Sequence, residues 1–223
     1  MKKYAVIVAG GAGKRMGAGL PKQFLLLNGK PLLYYSIDAF LQAIDDVEII
    51  LVLHKDFISH GREIIDAFFA KKNIHVTEGG DTRFDSVKSG LNSVIEESII
   101  FVHDAARCLI STELIHRCYD QAVKTGSAIP VLPSRDSVRL LLDDGDSKVL
   151  DRSKVVLIQT PQTFHSQILL PAFEIDYKDR FTDEATVVEE FGLKVSLIDG
   201  DERNIKITQP VDLIIAEKLI ENP

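Results

Sequence analysis

The sequence has no tryptophan, only two cysteines, and no apolar run near the roughly 20 residues that a membrane-spanning helix needs. Cys108 and Cys118 form neither a Cys-x-x-Cys pair nor a zinc-binding pattern, which favours a reducing, cytoplasmic location. An excess of positive charge is also lacking, because the formal net charge is −7. A nucleic-acid or membrane partner is therefore not expected, and any local group of cations stands against the average charge of the chain.

The chain also lacks internal repeats, low-complexity segments and linkers rich in proline and glycine. Its 223 residues, 45% of them hydrophobic, suit one large α/β domain or two small ones. Because no linker separates two halves, we expect one domain over residues 1–223.

Short apolar runs alternate with helical patterns along the chain. The predicted strands are Tyr4–Ala9, Val47–Leu53, Ile74–Glu78, Ile99–His103, Ser127–Leu132, Val155–Gln159 and Val195–Ile198. The predicted helices are Pro31–Ala43, Phe57–Lys71, Thr82–Ile95, Thr112–Thr125, Ser166–Glu174, Asp183–Phe191 and Pro210–Ile220. This alternation predicts a Rossmann-like α/β domain with a mostly parallel, twisted sheet.

One segment, at about residues 134–153, breaks the alternation. Ser137–Leu142 and Lys148–Leu150 are β-like, and the residues between them form a turn signal. The pattern predicts a protruding β-hairpin arm. A hairpin cannot bury its apolar side chains alone, so a second subunit is the natural partner. A hairpin folded onto its own domain is the alternative.

A glycine-rich loop follows the first predicted strand, from Gly10 to Gly17, with Lys22 shortly after it. Glycines allow tight bends and a close approach to a ligand, and the N–H groups of such a loop can bind an anion. A Walker A loop is excluded because Arg15 follows Lys14, and Met16 stands where a dinucleotide fingerprint needs its third glycine. The loop predicts a polyphosphate site, with an ordinary glycine turn as the alternative.

Further polar residues gather where the other predicted strands end, which is where open parallel sheets bind ligands. Six cations flank this predicted edge: Arg15, Lys22, Arg83, Arg107, Arg152 and Lys206.

Single members of this group also have purely structural interpretations. Arg83 could be a solvated helix residue, and Asp104 could cap a turn. We expect Thr182 to be a helix N-cap, with the two acidic residues after it, Asp183 and Glu184, complementing the helix dipole. His103 reads as a packed or hydrogen-bonded histidine rather than a base.

Several short motifs occur in one order along the chain. They are Gly-Gly-x-Gly-x-Arg-Met, Pro-Lys-Gln-Phe, Gly-Gly-Asp-x-Arg-x-x-Ser-Val, His-Asp-Ala-Ala-Arg, Asp-Arg-Ser, Gln-Thr-Pro-Gln-Thr-Phe, Thr-Asp-Glu-Ala and Asn-Ile-Lys-Ile-Thr. From Tyr4 to about Glu217, the chain closely resembles the 2-C-methyl-D-erythritol 4-phosphate cytidylyltransferase family. The resemblance implies a transferase of non-mevalonate isoprenoid biosynthesis that uses CTP, methylerythritol phosphate and Mg²⁺.

The resemblance also implies roles for individual residues. The catalytic group would be Arg15, Lys22 and Lys206. The CTP site would comprise Ala9, Gly10, Gly11, Gly13, Gly80, Asp81, Arg83, Ser86, Asp104 and Ala105. The methylerythritol phosphate site would comprise Arg107, Ser137, Arg152, Thr160 and Thr182. Mg²⁺ would be held mainly by the nucleotide's phosphates rather than by protein ligands, and the arm would cross to the partner in a homodimer.

The chain departs from the family pattern at a few positions. Cys108 replaces a frequent proline, and Ser137 replaces a threonine but keeps the hydroxyl. The Ala-Gly-Gly form at Ala9–Gly11 also occurs in the related ribitol-5-phosphate cytidylyltransferases, which makes ribitol phosphate the alternative substrate. Those relatives tend to lack the Asp-Ala-Ala-Arg and Thr-Asp-Glu-Ala forms. A non-catalytic nucleotide-binding domain is a further alternative, against which the intact Lys22 and Lys206 argue.

Overall fold

The computed structural model describes residues 1–11 and 21–221. The strands are β1 (Lys2–Ala9), β2 (Leu26–Leu27), β3 (Lys30–Pro31), β4 (Val47–Leu53), β5 (Ile74–Glu78), β6 (Ser98–Asp104), β7 (Ser127–Pro133), β8 (Val138–Leu141), β9 (Ser147–Leu150), β10 (Val156–Ile158), β11 (Gln162–His165) and β12 (Leu197–Asp199). The helices are α1 (Leu32–Ala43), α2 (Ile58–Phe69), α3 (Arg83–Leu91), α4 (Thr112–Thr125), α5 (Ser166–Ala172), α6 (Glu184–Glu190) and α7 (Pro210–Glu221).

Strands β5, β4, β1 and β6 lie side by side and run parallel. Every residue of β6 is buried, as expected for a central strand with both faces covered. Because these strands are parallel, the residues at their carboxyl ends, Ala9, Leu53, Glu78 and Asp104, reach the same edge of the sheet. The prediction of a mostly parallel α/β sheet is confirmed.

Alternate residues of β1 pack into two different hydrophobic cores. Ile7 joins a core with Phe40 of α1 and Leu114 of α4. Val6 joins a second core, on the other face, with residues of α3, α5 and α6. The sheet is therefore the middle layer of three, which holds its carboxyl edge firmly in place. In the part of the chain that the structure describes, no helix has the length and apolar character needed to cross a membrane.

The region after the arm differs from the sequence-based prediction. The predicted strand Val155–Gln159 is the shorter β10, which runs antiparallel to β7. After a cis Thr160–Pro161 peptide, the unpredicted strand β11 runs antiparallel between β6 and β7. Its four residues are too few and too polar to show a strand periodicity. Because β11 is reversed, its amino end lies at the edge where the parallel strands have their carboxyl ends.

The predicted hairpin arm is confirmed as a separate two-stranded sheet of β8 and β9. Gly145 in its turn has a φ of 89°, a conformation that favours glycine. Leu141 and Val149 on the arm are 79% and 64% exposed. This chain alone therefore does not bury the arm's apolar side chains, which argues against the alternative of a hairpin folded onto its own domain.

Candidate active site

Two adjoining clefts lie at the carboxyl edge of the sheet. The first cleft is lined by Val8, Ala9, Gly10, Gly11, Lys22, Gln23, Gly80, Asp81, Thr82, Arg83, Ser86, Asp104, Ala105, Ala106 and Lys206. The second cleft is lined by Arg83, Asp104, Arg107, Ile158, Gln159, Thr160, Gln162, Thr182, Asp183 and Lys206. Arg83, Asp104 and Lys206 line both, so they form a common wall.

The start of the glycine loop is fixed by a residue to which the sequence analysis gave no role. The buried Gln23 donates from Nε2 to the carbonyl oxygens of Ala9 at 2.6 Å and Gly11 at 3.3 Å. Gln23 is part of the Pro-Lys-Gln-Phe motif, which was the available signal. The predicted site residues Gly13 and Arg15 lie outside the described residues.

The glycines after β5 are required by close packing. A Cβ atom on Gly79 would lie 2.8 Å from Ser86 Oγ, and one on Gly80 would lie 2.3 Å from Asp85 Cβ. Thr82 caps α3 in a capping box with Asp85, which orients the helix beneath this turn. The glycine turn and Ser86 are thereby brought against the first cleft.

A row of alternating charges forms the wall between the clefts. Arg83 donates from Nε and Nη2 to one Asp104 oxygen at 3.2 and 3.1 Å, and from Nη1 and Nη2 to the Glu184 carboxylate. Lys206 Nζ lies 2.6 Å from the other Asp104 oxygen. The Glu184 side chain is completely buried, and that of Asp104 is 12% exposed. Two carboxylates are thus balanced by two cations in a sheltered site.

The pKa of Asp104 reflects this arrangement. Burial by itself would raise the pKa of the carboxyl group, but the adjacent Arg83 and Lys206 hold it well below its usual range. Burial raises the pKa of Glu184, and Arg83 opposes that rise. Asp104 therefore stays ionised, which makes it a fixed negative partner for Lys206.

The two predicted catalytic lysines are held by one segment of chain. Lys22 Nζ donates to the carbonyl oxygen of Ile207 at 2.8 Å, next to Lys206. The Ile207 N–H in turn donates to the Ala106 carbonyl at 2.8 Å. Residues more than 180 positions apart in sequence are joined in this way.

Arg107 and Thr160 fix one side of the second cleft. Arg107 donates to the carbonyl oxygens of Asn204 at 2.8 Å and Ile158 at 3.2 Å. The Thr160 hydroxyl accepts the N–H of Asp104 at 3.1 Å. The reversed strand β11 brings Thr160 to this edge.

The expectation for the segment before α6 is wrong in two details. Asp183, not Thr182, is the N-cap, because its carboxylate accepts the Thr186 N–H at 2.9 Å. Glu184 does not merely complement the helix dipole, because it turns inward onto Arg83. Arg83 is accordingly not a solvated helix residue. Thr182 itself lines the second cleft.

Ser137 and Arg152 line neither cleft. Ser137 is exposed before β8, and Arg152 is exposed after β9, where it donates to the Arg135 carbonyl at 2.9 Å. Both belong to the arm, which carries them away from the clefts of their own chain. Within residues 1–11 and 21–221, no group of three or more His, Cys, Asp or Glu side chains could hold a metal ion.

Comparison with known proteins gives one consistent result. A family model described as "IspD: 2-C-methyl-D-erythritol 4-phosphate cytidylyltransferase" matches residues 4–222. The chain is 42% identical over 220 residues to the 2-C-methyl-D-erythritol 4-phosphate cytidylyltransferase of Phocaeicola vulgatus, covering 99% of this chain and 100% of that one. It is 43% identical to the protein of the same name from Porphyromonas gingivalis, with 98% of both chains covered.

Solved structures of similar proteins have the same fold. The 4-diphosphocytidyl-2C-methyl-D-erythritol synthase of Anaerococcus prevotii superposes with a TM-score of 0.85 at 28% identity, covering 99% of this chain and 96% of that one. The 2-C-methyl-D-erythritol 4-phosphate cytidylyltransferase of Thermus thermophilus superposes with a TM-score of 0.76 at 29% identity, covering 99% and 100%.

Proposed function

The chain belongs to the 2-C-methyl-D-erythritol 4-phosphate cytidylyltransferase family, and we propose that CTP binds in its first cleft and methylerythritol phosphate in its second. The protein is a nucleotidyltransferase that converts these substrates to CDP-methylerythritol and pyrophosphate. The observation that carries the assignment of the clefts is the wall of Arg83, Asp104 and Lys206 that they share. The bond between a ligand in one cleft and a ligand in the other must form beside these three residues.

The chemistry needs positioning and positive charge more than covalent help. An oxygen of the substrate phosphate attacks the α-phosphorus of CTP, and the bond from that phosphorus to the bridging oxygen of the β-phosphate breaks. No proton has to move, because both the nucleophile and the leaving group are phosphate oxygens. Lys206 stabilises charge at the α-phosphate, while Lys22, with Arg15, binds the triphosphate and the leaving pyrophosphate.

The first cleft is suited to a pyrimidine nucleotide. The backbone at Ala9–Gly11, with Gly80 and Ser86, offers fixed hydrogen-bonding groups to cytosine. A base with the wrong donors and acceptors leaves such groups desolvated and unpaired. We assign the nucleotide's ribose to Asp104 and Ala105, which both line this cleft.

The second cleft supplies groups for a phosphorylated polyol. Thr160 and Thr182 carry hydroxyl groups, and Arg107 carries a guanidinium that suits a phosphate. Asp104 is common to both clefts, and in this proposal it meets the acceptor as well as the ribose. Ser137 and Arg152 complete the site from a partner subunit.

Mg²⁺ is the cofactor that the reaction requires in this proposal. When bound, it would reduce the negative charge of the triphosphate. The described residues fit an ion held chiefly by nucleotide phosphates, since they contain no carboxylate cluster that could form a protein cage.

The protein acts as a homodimer in this proposal. The exposed apolar side chains of the arm continue into β10, where Leu157 is also exposed. A reciprocal exchange of arms about a two-fold axis would cover both sets of side chains. It would also take Ser137 and Arg152 to the partner's second cleft. A cytoplasmic location fits the two cysteines, which are both buried and free.

Pyrophosphate release tests the proposal directly. The purified protein with Mg²⁺ should release pyrophosphate from CTP when methylerythritol phosphate is present, and much less from UTP, ATP or GTP. The same assay with ribitol 5-phosphate in place of methylerythritol phosphate tests the alternative acceptor, which the Ala-Gly-Gly form at Ala9–Gly11 suggested. Faster release with ribitol 5-phosphate would reassign the acceptor, and use of a purine nucleotide as readily as CTP would contradict the base-reading role of the first cleft.

A further inference from the structure

His103 is a completely buried histidine that lines neither cleft. It is the residue of β6 before Asp104, and its ring packs edge-on against Phe40 with centroids 5.4 Å apart. Both ring nitrogens are nevertheless used. Nδ1 lies 3.1 Å from the Thr160 hydroxyl, and Nε2 lies 3.1 Å from the Arg107 carbonyl oxygen.

These partners determine which ring nitrogen carries the proton. The Arg107 carbonyl can only accept, so Nε2 must carry the hydrogen and donate it. In the neutral ring, Nδ1 is then an acceptor, and the Thr160 O–H donates to it. The same hydroxyl oxygen accepts the Asp104 N–H at 3.1 Å. The hydroxyl therefore has a fixed direction, which His103 sets from beneath the cleft.

The turn that follows β6 is held by buried groups along its length. Ser36 Oγ donates to the Ala105 carbonyl at 3.1 Å, and the Ile207 N–H donates to that of Ala106. His103 adds the Arg107 carbonyl to this set, and through Thr160 it also reaches the segment between β10 and β11. It thus joins two segments of the second cleft that are more than 50 residues apart in sequence.

We propose that His103 is a positioning residue for the phosphorylated acceptor, acting through the Thr160 hydroxyl and the Arg107 backbone. Without contacting a ligand, it fixes the hydroxyl direction of Thr160 and the path of the turn from which the Arg107 side chain extends. The proposal rests on the assignment of the second cleft to methylerythritol phosphate. It adds to that assignment a residue whose contribution should appear in acceptor binding rather than in CTP binding.

The variant His103→Gln tests this role. A glutamine amide can still donate to the Arg107 carbonyl, but it leaves the Thr160 hydroxyl without its acceptor. We expect the KM for methylerythritol phosphate to rise about tenfold, the factor that one net hydrogen bond gives. The KM for CTP should stay within about twofold. The matched control is His116→Gln, which alters a histidine bonded to the Ala43 carbonyl outside both clefts.

A double-mutant cycle separates positioning from a loss of stability. If His103 acts through Thr160, then His103→Gln should raise the acceptor KM in the wild-type background but hardly at all in a Thr160→Val background. Equal effects in the two backgrounds, or equal rises in the KM for both substrates, would overturn the proposal.

Nitrogen NMR of the histidine ring gives a second test that leaves His103 unchanged, in case His103→Gln does not fold. The ring should carry its proton on Nε2, and its Nδ1 resonance should shift in Thr160→Val but not in Thr160→Ser. A proton on Nδ1, or a resonance indifferent to both changes, would overturn the proposal. A wild-type protein that does not use methylerythritol phosphate would instead refute the proposed acceptor, while the NMR result would still stand.

Discussion

Asp104 is the residue on which both clefts depend, because its two oxygens receive different cations. Arg83 binds one oxygen, and Lys206 binds the other at 2.6 Å. In the proposed function, a phosphate that enters the clefts would compete with Asp104 for Lys206. The Asp104 carboxylate thus holds the Lys206 ammonium group close to the site, where it could exchange Asp104 for a ligand phosphate.

The two lysines should matter for turnover and much less for folding. Lys22→Ala and Lys206→Ala should each lower kcat about a hundredfold or more, because each removes charge stabilisation from a sheltered site. Urea midpoints should change little. Lys124→Ala, on the exposed side of α4, is the control and should leave kcat unchanged. A wild-type kcat in either cleft variant would remove that lysine from the catalytic group.

Glu184 should contribute strongly to stability. Glu184→Gln keeps the shape of the side chain but removes a buried charge that faces Arg83. The free energy of unfolding should fall by about 2 to 3 kcal/mol, because the amide keeps only one of the two oxygens that accept from Arg83 and turns an NH2 donor toward the guanidinium. Urea denaturation measures this loss. Glu190→Gln, at the other end of α6, alters the ion pairs of Glu190 with the exposed Lys178 and Arg180 and should have a smaller effect. Equal losses in the two variants would show that the buried pair has no special role.

His103 should make stability depend on pH. Burial lowers the pKa of His103 to about 4, although the nearby Asp104 charge and the hydrogen bond to the Arg107 carbonyl oppose the shift and only the Arg107 charge adds to it. The unfolded chain therefore takes up a proton near pH 6.5, whereas the folded protein does not. The contribution of neutral His103 to the free energy of unfolding is therefore fully present above pH 6.5. It decreases by about 3 kcal/mol in total as the pH falls toward 4. Unfolding free energies at several pH values should show this fall, and His103→Gln should reduce it. An unchanged pH dependence in the variant would contradict the assignment.

At the scale of elements, the arm is a hairpin whose apolar side chains, such as Leu141 and Val149, are not buried by its own chain. Among the described residues its strands pair only with each other, and they hold Ser137 and Arg152 outside the clefts. Two β-like runs on either side of a turn signal were sufficient to predict this hairpin. The reversed strand β11 was not predictable in the same way, because its four residues form a strand only when β6 and β7 lie on either side of it.

A charge on the arm should prevent association. Leu141→Glu places a carboxylate at a side chain that is 79% exposed, and we expect it to yield monomers in sedimentation because a dimer would have to bury the charge. Ile95→Glu is the matched control, since Ile95 is also exposed, at 83%, but lies outside the arm. A Leu141→Glu protein that sediments as wild type does would show that the arm makes no contact between subunits.

At the scale of the whole molecule, the proposed dimer has sites built from two chains. Lys22→Ala and Arg152→Ala should each be inactive as homodimers. If Arg152 acts in the partner's site, refolding the two variants together gives mixed dimers with one intact site. Activity should then return to about a quarter of wild type under random pairing. Mixed dimers without recovered activity would show that Arg152 serves its own chain.

The amino-acid sequence by itself determined the parallel strands of the sheet and most of the residues that line the clefts. Local patterns sufficed for this, because helix and strand periodicity follow from backbone geometry and parallel strands bring their carboxyl ends to one edge. Lys22, Arg83, Asp104 and Lys206 could be assigned to one site for that reason. Gln23 was within a motif, but its role is to hold the loop, which the motif alone does not reveal.

Only the tertiary structure decided how the side chains pair. Arg83 and Glu184 are 101 residues apart, and nothing in the sequence near either indicates that they meet. The direction of β11, which brings Thr160 to His103, was equally undetermined. The physical reason is that such contacts depend on the order and direction of neighbouring strands. The order and direction of the strands are set by the packing of distant segments. A pattern within one segment indicates only that segment's secondary structure and which of its faces is buried.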